Sequence, residues 1–575
     1  MDVEIKIKET QRETVEVIFN DGTIMSGPRN TPIGEFMEKY QDPQQPMIVG
    51  AIVNNDLREL TFPVVMDSTV SPVTMAETDG GRIYRRSLTF LLEVAFMELF
   101  PEWTLTVDHS VSSGAYYCHV PEHEPFSQDQ LDKLGARMRE LVEENAPMEK
   151  EKVSLAEAKD FFRKLGQEDK LKLLNYRHGD DLVLYSLHGK RDYHHGYMVP
   201  STGFLKWFDL QLVDLGFVVR FPRRHAPDRL LPLTSYPQLL TAFRQYGGWL
   251  ETLGIQSVGA LNDAINDNRI NEVILVSEAL HTQQISRIAN QIRKNKDEIN
   301  VILIAGPSSS GKTTFSKRLT IQLLTEGISP FALEMDNYFV NRDDTPLGED
   351  GHFDFEHIDA VKRDLLNDHI NRLIAGEKVQ LRHYNFKTGI NESGEEVQLI
   401  PGQMIILEGI HGLNPMLLED FPPERTFRIY VSCLTQLNLD RHNRISTTDT
   451  RLLRRILRDV RERGYTAQQT IGHWERVRRG EKNRIFPYQE NADIMFNSAL
   501  AYELTALKPL VEPYLRQVSF GSMEYIEAKR LLKFLQWFLP IEQNLIPDDS
   551  ILREFIGGSI LSDFKIWQHT GLIDY

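Results

Sequence analysis

Apolar and polar residues alternate at Val3, Ile5 and Ile7 and again along Val15-Glu16-Val17-Ile18-Phe19, which runs into Asn20-Asp21-Gly22. A period of two followed by such residues predicts a strand entering a hairpin turn. A second apolar run, Met47 to Val53, meets a turn at Asn54-Asn55-Asp56, and Ile33 to Tyr40 reads as a helix between the two. These short elements predict a small α+β module ending near residue 63. The period then changes: Leu88, Leu91, Leu92, Ala95 and Phe96 recur at helical spacing between Ser87 and Leu99, until Pro101 closes the helix. A charged helical stretch from Gln128 to Leu165 and strand-like pieces follow to about residue 220. There Arg220, Arg223, Arg224 and two prolines mark a joint, and residues 221–296 read mostly as helix.

Beyond the joint, the apolar strand Val301-Ile302-Leu303-Ile304-Ala305 enters Gly306-Pro307-Ser308-Ser309-Ser310-Gly311-Lys312-Thr313-Thr314. This is a Walker A loop. Its glycines let the backbone curl so that N–H groups face phosphate oxygens. Lys312 reaches the β/γ-phosphates, and the Thr313 hydroxyl is a magnesium ligand. A helix with Phe315, Leu319 and Leu323 on one face and Gly327 at its end completes the strand–loop–helix order.

Two carboxylates stand where such a loop needs them, at the carboxyl ends of apolar runs: Asp336 after Pro330 to Met335, and Glu408 after Met404 to Leu407. One would hold the magnesium shell, and Asp336 would take the proton of an attacking hydroxyl. Further on, Arg451, Arg454, Arg455 and Arg458 recur at i, i+3, i+4 and i+7 in a helix expected from Asp449 to Arg463. With few acidic residues nearby, they read as a cationic face that closes over nucleotide phosphates.

The rest of the composition limits the alternatives. With 65 Lys+Arg against 82 Asp+Glu, the formal charge of -17 repels polyanions and argues against sequence-independent nucleic-acid binding. Cys118 and Cys433 are the only cysteines, too few and too far apart for a disulfide scaffold. The acidic N-terminus lacks a signal-peptide pattern, and no run approaches the ~18 apolar residues of a membrane span. A cytoplasmic location without membrane attachment is expected.

Two resemblances follow from these residues. The first 220 residues resemble the N-terminal part of threonyl-tRNA synthetase, a β-grasp TGS domain and an editing-type domain. The resemblance is carried by Arg86 to Leu92, Leu99-Phe100-Pro101, Gly114 to Tyr117, Tyr176 to Asp180 and Val199-Pro200-Ser201-Thr202-Gly203. The synthetase's ligand positions fall on Arg86, Phe90, His194 and Met198, so the fold is implied and the editing activity is not. Residues 297–500 resemble the uridine kinase/phosphoribulokinase branch of P-loop kinases. Here the carriers are Gly306 to Thr314, Asp336-Asn337-Tyr338-Phe339, Asp354 to Ala360, Tyr384-Asn385-Phe386, Ile406-Leu407-Glu408-Gly409 and Asp449 to Arg455. The whole chain resembles long bacterial uridine kinase-like nucleoside kinases.

The second resemblance implies that Thr313, Asp336 and Glu408 coordinate Mg2+, that Asp336 is the base, and that Glu356 holds the ribose hydroxyls. It further implies that Tyr384 flanks the nucleoside base and that Arg455, Arg458 and Arg463 face the phosphates of ATP. Its pyrimidine-reading His falls on Gly389, and its base-contacting Arg and Gln fall on Tyr465 and His473.

The expected architecture is an α/β P-loop kinase with a doubly wound parallel sheet, behind two α+β domains. Its divisions are a TGS-like domain at 1–63, an editing-like domain at 64–220, a helical linker at 221–296, and the kinase with a C-terminal helical extension at 297–575. The expected reaction, in nucleoside salvage, moves the γ-phosphate of ATP to the 5′-hydroxyl of a ribonucleoside. A sugar or sugar-phosphate kinase shares the same core chemistry, and a nucleotide-dependent switch with an RNA-associated front half is a reading from another class. The partner expected is a small nucleoside; oligomeric state is open, a homo-oligomer included.

Overall fold

The computed structural model of the chain describes residues 12–111, 114–121, 123–348 and 351–564. The alternation at Val3, Ile5 and Ile7 lies outside the described residues. The chain divides into two compact units. The first takes in the described residues up to Ser235 together with Asn438–Arg444 and Val518–Trp537. The second takes in Tyr236–Leu437, Ile445–Gln517 and the described residues from Phe538 onward.

In the first unit, five strands form a mixed sheet in the order Ile24–Pro28, Thr14–Phe19, Ser68–Thr74, Ile48–Val53, Asp56–Arg58. Thr14–Phe19 turns antiparallel onto Ile24–Pro28 through Gly22, whose φ of +89° suits a residue without Cβ. The strand Ser68–Thr74, beyond the expected module end at residue 63, pairs parallel with Thr14–Phe19 and takes the middle of the sheet. Alternation sends Val15, Val17 and Phe19 inward, where Ile33, Phe36 and Met37 of the helix Ile33–Tyr40 cover them. This is a β-grasp arrangement.

The helix read from Ser87 begins at Thr78 and ends at Leu99. Gly80 hides its start from a propensity reading, yet a Cβ there would lie 1.9 Å from the Thr74 carbonyl oxygen, so close approach of the backbone demands it. The single helical stretch expected over Gln128 to Leu165 is corrected to a helix Gln128–Glu143, a strand Glu149–Ser154 and a helix Leu155–Lys164. Asn145 at φ +50° ends the first helix. The following charged residues pair antiparallel with Asp181–Leu187. Because most of that strand is exposed, no apolar alternation marks it. A four-stranded antiparallel sheet built from 106–111, 115–119, 209–213 and 216–220 shares a core with the long helix.

The second unit holds five parallel strands in the order Pro330–Glu334, Met404–Glu408, Val301–Ala305, Thr426–Ser432, Ile494–Asn497. Val301–Ala305 is central and buried on both faces, as its unbroken apolar sequence requires. Ile302 and Ile304 pack against Phe315, Leu319 and Leu323 of the helix Lys312–Thr325. Val301 and Leu303 pack on the opposite face with Leu366, Ile370 and Leu373 of Arg363–Ile374. Helices on both faces of a parallel sheet make a doubly wound P-loop kinase fold, whose strands end together at one edge.

Candidate active site

That carboxyl edge gathers most of the chemistry. Between Val301–Ala305 and Lys312–Thr325 the loop curls through Ser309 at φ +58° and Gly311 at φ +85°. Gly306 permits a close approach, since a Cβ there would lie 2.0 Å from the Val431 carbonyl oxygen. The hydroxyls of Ser309 and Ser310 are buried with no hydrogen-bond partner among the described residues. Unsatisfied donors at a left-handed curl opening a helix fit a polyphosphate.

Thr313 and Glu408, contributed by different elements, meet directly: the Thr313 hydroxyl donates to Glu408 Oε1 at 3.0 Å. Burial pushes the Glu408 carboxyl up to about 7 against the opposing pull of Lys312. Burial likewise raises Asp336, again opposed by Lys312, and lowers Lys312, opposed by Glu408, Glu554 and Asp336. Lys312 Nζ is held on the Pro307 carbonyl at 3.3 Å. The hard oxygens of Thr313, Asp336 and Glu408 are a donor set that could hold Mg2+.

Two acidic residues that the sequence did not single out occupy this loop. Glu481 Oε1 accepts from the Ser308 backbone N–H at 2.8 Å, and Glu554 Oε2 accepts from that of Thr314 at 3.1 Å. Neither belongs to a local motif, because each reaches the loop from a helix far along the chain.

The arginine face needs correction in two respects. The helix runs Thr447–Arg458 and continues as a wider turn over Asp459–Arg463, and its arginines do have acidic partners. Arg455 and Arg458 bond Asp459 at 3.1 and 2.9 Å, with Arg463 3.7 Å from the same carboxylate. Arg451 pairs with Glu481 and Arg454 with Glu503 at 2.5 Å. The stripe also divides by role. Arg454 is fully buried, whereas Arg455 Nη1 donates to the Ser308 hydroxyl at 2.8 Å and Arg451 Nε to the Ser308 carbonyl at 2.9 Å.

The remaining expected residues are less uniform. Glu356 lies against Gly480, where a Cβ would come within 2.7 Å of its Cβ. Burial and then Asp354 push its carboxyl up to about 7, with Arg455 opposing. Tyr465 and His473 meet edge to face at 5.9 Å. Tyr384 is buried among Phe339 and Phe386, and its hydroxyl has no partner among the described residues.

Residues 301–504 match the model of the phosphoribulokinase/uridine kinase family. The phosphate loop, the Thr313–Glu408 pair and the arginine helix all fall inside the match. The chain is also similar to the threonine–tRNA ligase of Burkholderia multivorans, 30% identical over 200 residues, which cover 35% of this chain and 31% of the ligase. The chain thus spans about a third of the length of that relative. Among solved structures, the chain is similar to a possible uridine kinase from Bacillus stearothermophilus, 22% identical. It covers 35% of this chain and 89% of the other, with a TM-score of 0.25. A putative fructose transport system kinase from Silicibacter sp. TM1040 is 15% identical over 37% and 98%, with a TM-score of 0.27.

In the first unit, the four positions carried over from the synthetase's ligands do not form a ligand set. Phe90 and Met198 are buried apolar residues, and Arg86 donates to the Tyr197 carbonyl at 2.6 Å. His194 instead joins a buried group in which its Nε2 is 3.1 Å from Glu93. Glu93, Asp192 and His194 could by spacing hold an ion. Protein cations already stand there, however: the Lys170 ammonium on Asp192, and His442 Nδ1 at 2.9 Å from Asp192 and 3.1 Å from Glu93. Burial disfavours the His442 imidazolium, yet these carboxylates raise it to about 10.

Proposed function

We propose that the chain transfers the γ-phosphate of ATP to the 5′-hydroxyl of a ribonucleoside, with base specificity broader than uridine and cytidine. The observation that carries the reading is the Thr313–Glu408 hydrogen bond, beside a loop whose Ser309 and Ser310 hydroxyls lack partners. Loop, Lys312 and carboxylates converge on one edge, which favours turnover over a switch that only binds nucleotide.

In this reading the loop N–H groups and Lys312 bind the phosphates, and Thr313, Asp336 and Glu408 hold Mg2+. The ion supplies charge neutralisation across the phosphates. Asp336 accepts the proton leaving the acceptor's 5′-hydroxyl as that oxygen bonds to phosphorus and ADP departs. Arg455, Arg458 and Arg463 close over the phosphates and exclude water. Glu356 accepts from the ribose hydroxyls, while Tyr465 and His473 lie nearest the base. The divisions 1–63, 64–220, 221–296 and 297–575, a cytoplasmic location and a role in nucleoside salvage belong to the same reading.

ADP release measured over nucleosides, sugars and sugar phosphates tests it. A ribonucleoside should be the best acceptor, with Lys312→Ala and Asp336→Asn each losing about 10²- to 10⁴-fold in kcat while staying folded. A sugar preferred over every nucleoside overturns the acceptor. Near-normal turnover in either variant overturns the site.

A further inference from the structure

The first unit has an open cleft of about 390 Å³ far in sequence from the kinase loop, lined by the long helix Thr78–Leu99, the segment around Tyr193–Tyr197 and the helix Met523–Leu535. That volume is ligand-sized. Its walls carry more positive than negative side chains, in a chain whose formal charge is -17.

Some of those cations are already matched. Arg82 bonds Glu527 at 2.7 Å, Arg530 bonds the same carboxylate at 2.7 Å, and Lys529 is 2.7 Å from Asp56. Three are not: among the described residues Arg86, Arg177 and Lys533 have no carboxylate partner. Arg86 donates to a backbone carbonyl, and so does Arg177, to Asp181. Arg86 and Arg177 are half-buried and Lys533 is exposed, so all three charges remain open to an anionic ligand.

The cleft also carries aromatic surface. Trp537 and Tyr193 stand with ring centroids 5.3 Å apart, and the Arg177 guanidinium lies 5.0 Å from the Trp537 ring. His195 sits between them, its Nδ1 3.2 Å from the Tyr193 hydroxyl and 3.4 Å from Trp537 Nε1. Burial, then Arg86, Arg530, Lys533 and Arg177, hold its imidazole down at about 3, so it stays neutral and adds no competing charge. With Trp537 Nε1–H donating to Nδ1, the ring keeps its proton on Nε2, a further donor.

Three unmatched cations are more than a single carboxylate requires, and two of them are guanidiniums whose planar fork suits a phosphate group. Flat aromatic walls beside them suit a base. We propose that this cleft is a second ligand site, separate from the kinase loop, for a nucleoside 5′-phosphate. Arg86, Arg177 and Lys533 take the phosphate, and Trp537 and Tyr193 take the base.

Equilibrium dialysis of the full chain with radiolabelled AMP and UMP, alongside ADP, tests the site. The expected result is two binding events per chain across this set. Arg86→Ala and Lys533→Gln should each weaken one event at least tenfold and spare the other, and Lys312→Ala should do the reverse. Lys533 is exposed, so Lys533→Gln should stay folded even if Arg86→Ala does not, and melting curves check both. Several results overturn the proposal: a single event per chain, two events indifferent to Lys533→Gln, or an event at this site as tight for inorganic phosphate or for the bare nucleoside as for the nucleotide. Binding there of short single-stranded RNA in strong preference to mononucleotides also overturns it, since the ligand would then be a nucleic acid.

Discussion

Glu554 accepts a hydrogen bond from the Thr314 backbone N–H at 3.1 Å, placing a carboxylate on the first turn of the helix that follows the phosphate loop. Such N–H groups have no partner within their own helix and are the ones a phosphate would take. Glu554 therefore acts as a cap that a nucleotide must displace. Glu554→Ala should lower KM for ATP two- to fivefold, while the lost cap costs about 1 kcal/mol of stability. Steady-state kinetics beside thermal melts check this, and a raised KM with unchanged melting contradicts it.

Arg454 and Arg455 are neighbours in sequence with different tasks. Arg454 is fully buried and paired with Glu503, so Arg454→Ala strands a charge and should destabilise by about 3–5 kcal/mol. Arg455 reaches the Ser308 hydroxyl, so Arg455→Ala, like Arg458→Ala, should cut kcat with a small effect on melting. Chemical denaturation and turnover per folded molecule separate the two outcomes. Equal losses of stability at all three positions would mean that the whole stripe is structural.

The arginine helix also shows what could be read from sequence. Its spacing put Arg451, Arg454, Arg455 and Arg458 on one face, and of these Arg451 and Arg455 meet at Ser308 while Arg454 turns to Glu503. Asp459, four residues after Arg455, was legible as their local partner, whereas helical spacing alone cannot say that Arg454 faces the core, because that depends on Glu503 and Ser498 brought in from elsewhere. The kinase loop was legible because its chemistry is written in consecutive residues and its strand is wholly apolar. Glu481 and Glu554 were not, since only folding carries them to Ser308 and Thr314. The strand Glu149–Ser154 was hidden for a different reason: its side chains are mostly exposed, so hydrophobic patterning is silent there.

Glu356 gives a pH signature. Burial holds its carboxyl near 7, above the ordinary value near 4.5, so the folded chain keeps a proton that the unfolded chain releases. A raised carboxyl lowers stability as pH rises through that interval. Relative to Glu356→Gln, the ligand-free wild type should therefore lose stability between about pH 4.5 and 7 and level off above. If the ionised form accepts the ribose hydroxyls, KM for the acceptor should rise as pH falls below 7, and the Gln variant should lose that dependence. Melting curves and KM measured from pH 5 to 8 decide both. A stability difference that does not change with pH would show that Glu356 titrates normally.

The last prediction concerns the base and turns on Gly389, the position on which the resemblance to uridine kinases places their pyrimidine-reading His. Gly389 lies at the turn between Val379–Asn385 and Ile390–Val397 with φ +75°, and a Cβ there would lie 2.7 Å from Arg342 Cβ. Arg342 is fixed over the turn: its backbone N–H donates to the Gly389 carbonyl at 2.8 Å and its Nη2 to the Phe386 carbonyl at 2.7 Å. Both the backbone and the space therefore exclude a histidine, so restoring one by Gly389→His should damage folding rather than rebuild pyrimidine recognition. If the resemblance places the residues correctly, that donor is absent and Tyr465 and His473 replace an Arg and a Gln, so fewer polar groups would be left unpaired when the base is wrong. Sites built to hydrogen-bond their substrate discriminate steeply for that reason, and this one should not. Values of kcat/KM for uridine, cytidine, adenosine, guanosine and inosine should differ by less than about a hundredfold between the pyrimidines and the best purine. A larger preference for uridine and cytidine would mean that other groups read the pyrimidine. Tyr384 would then be the first to examine, since its buried hydroxyl still lacks a partner among the described residues.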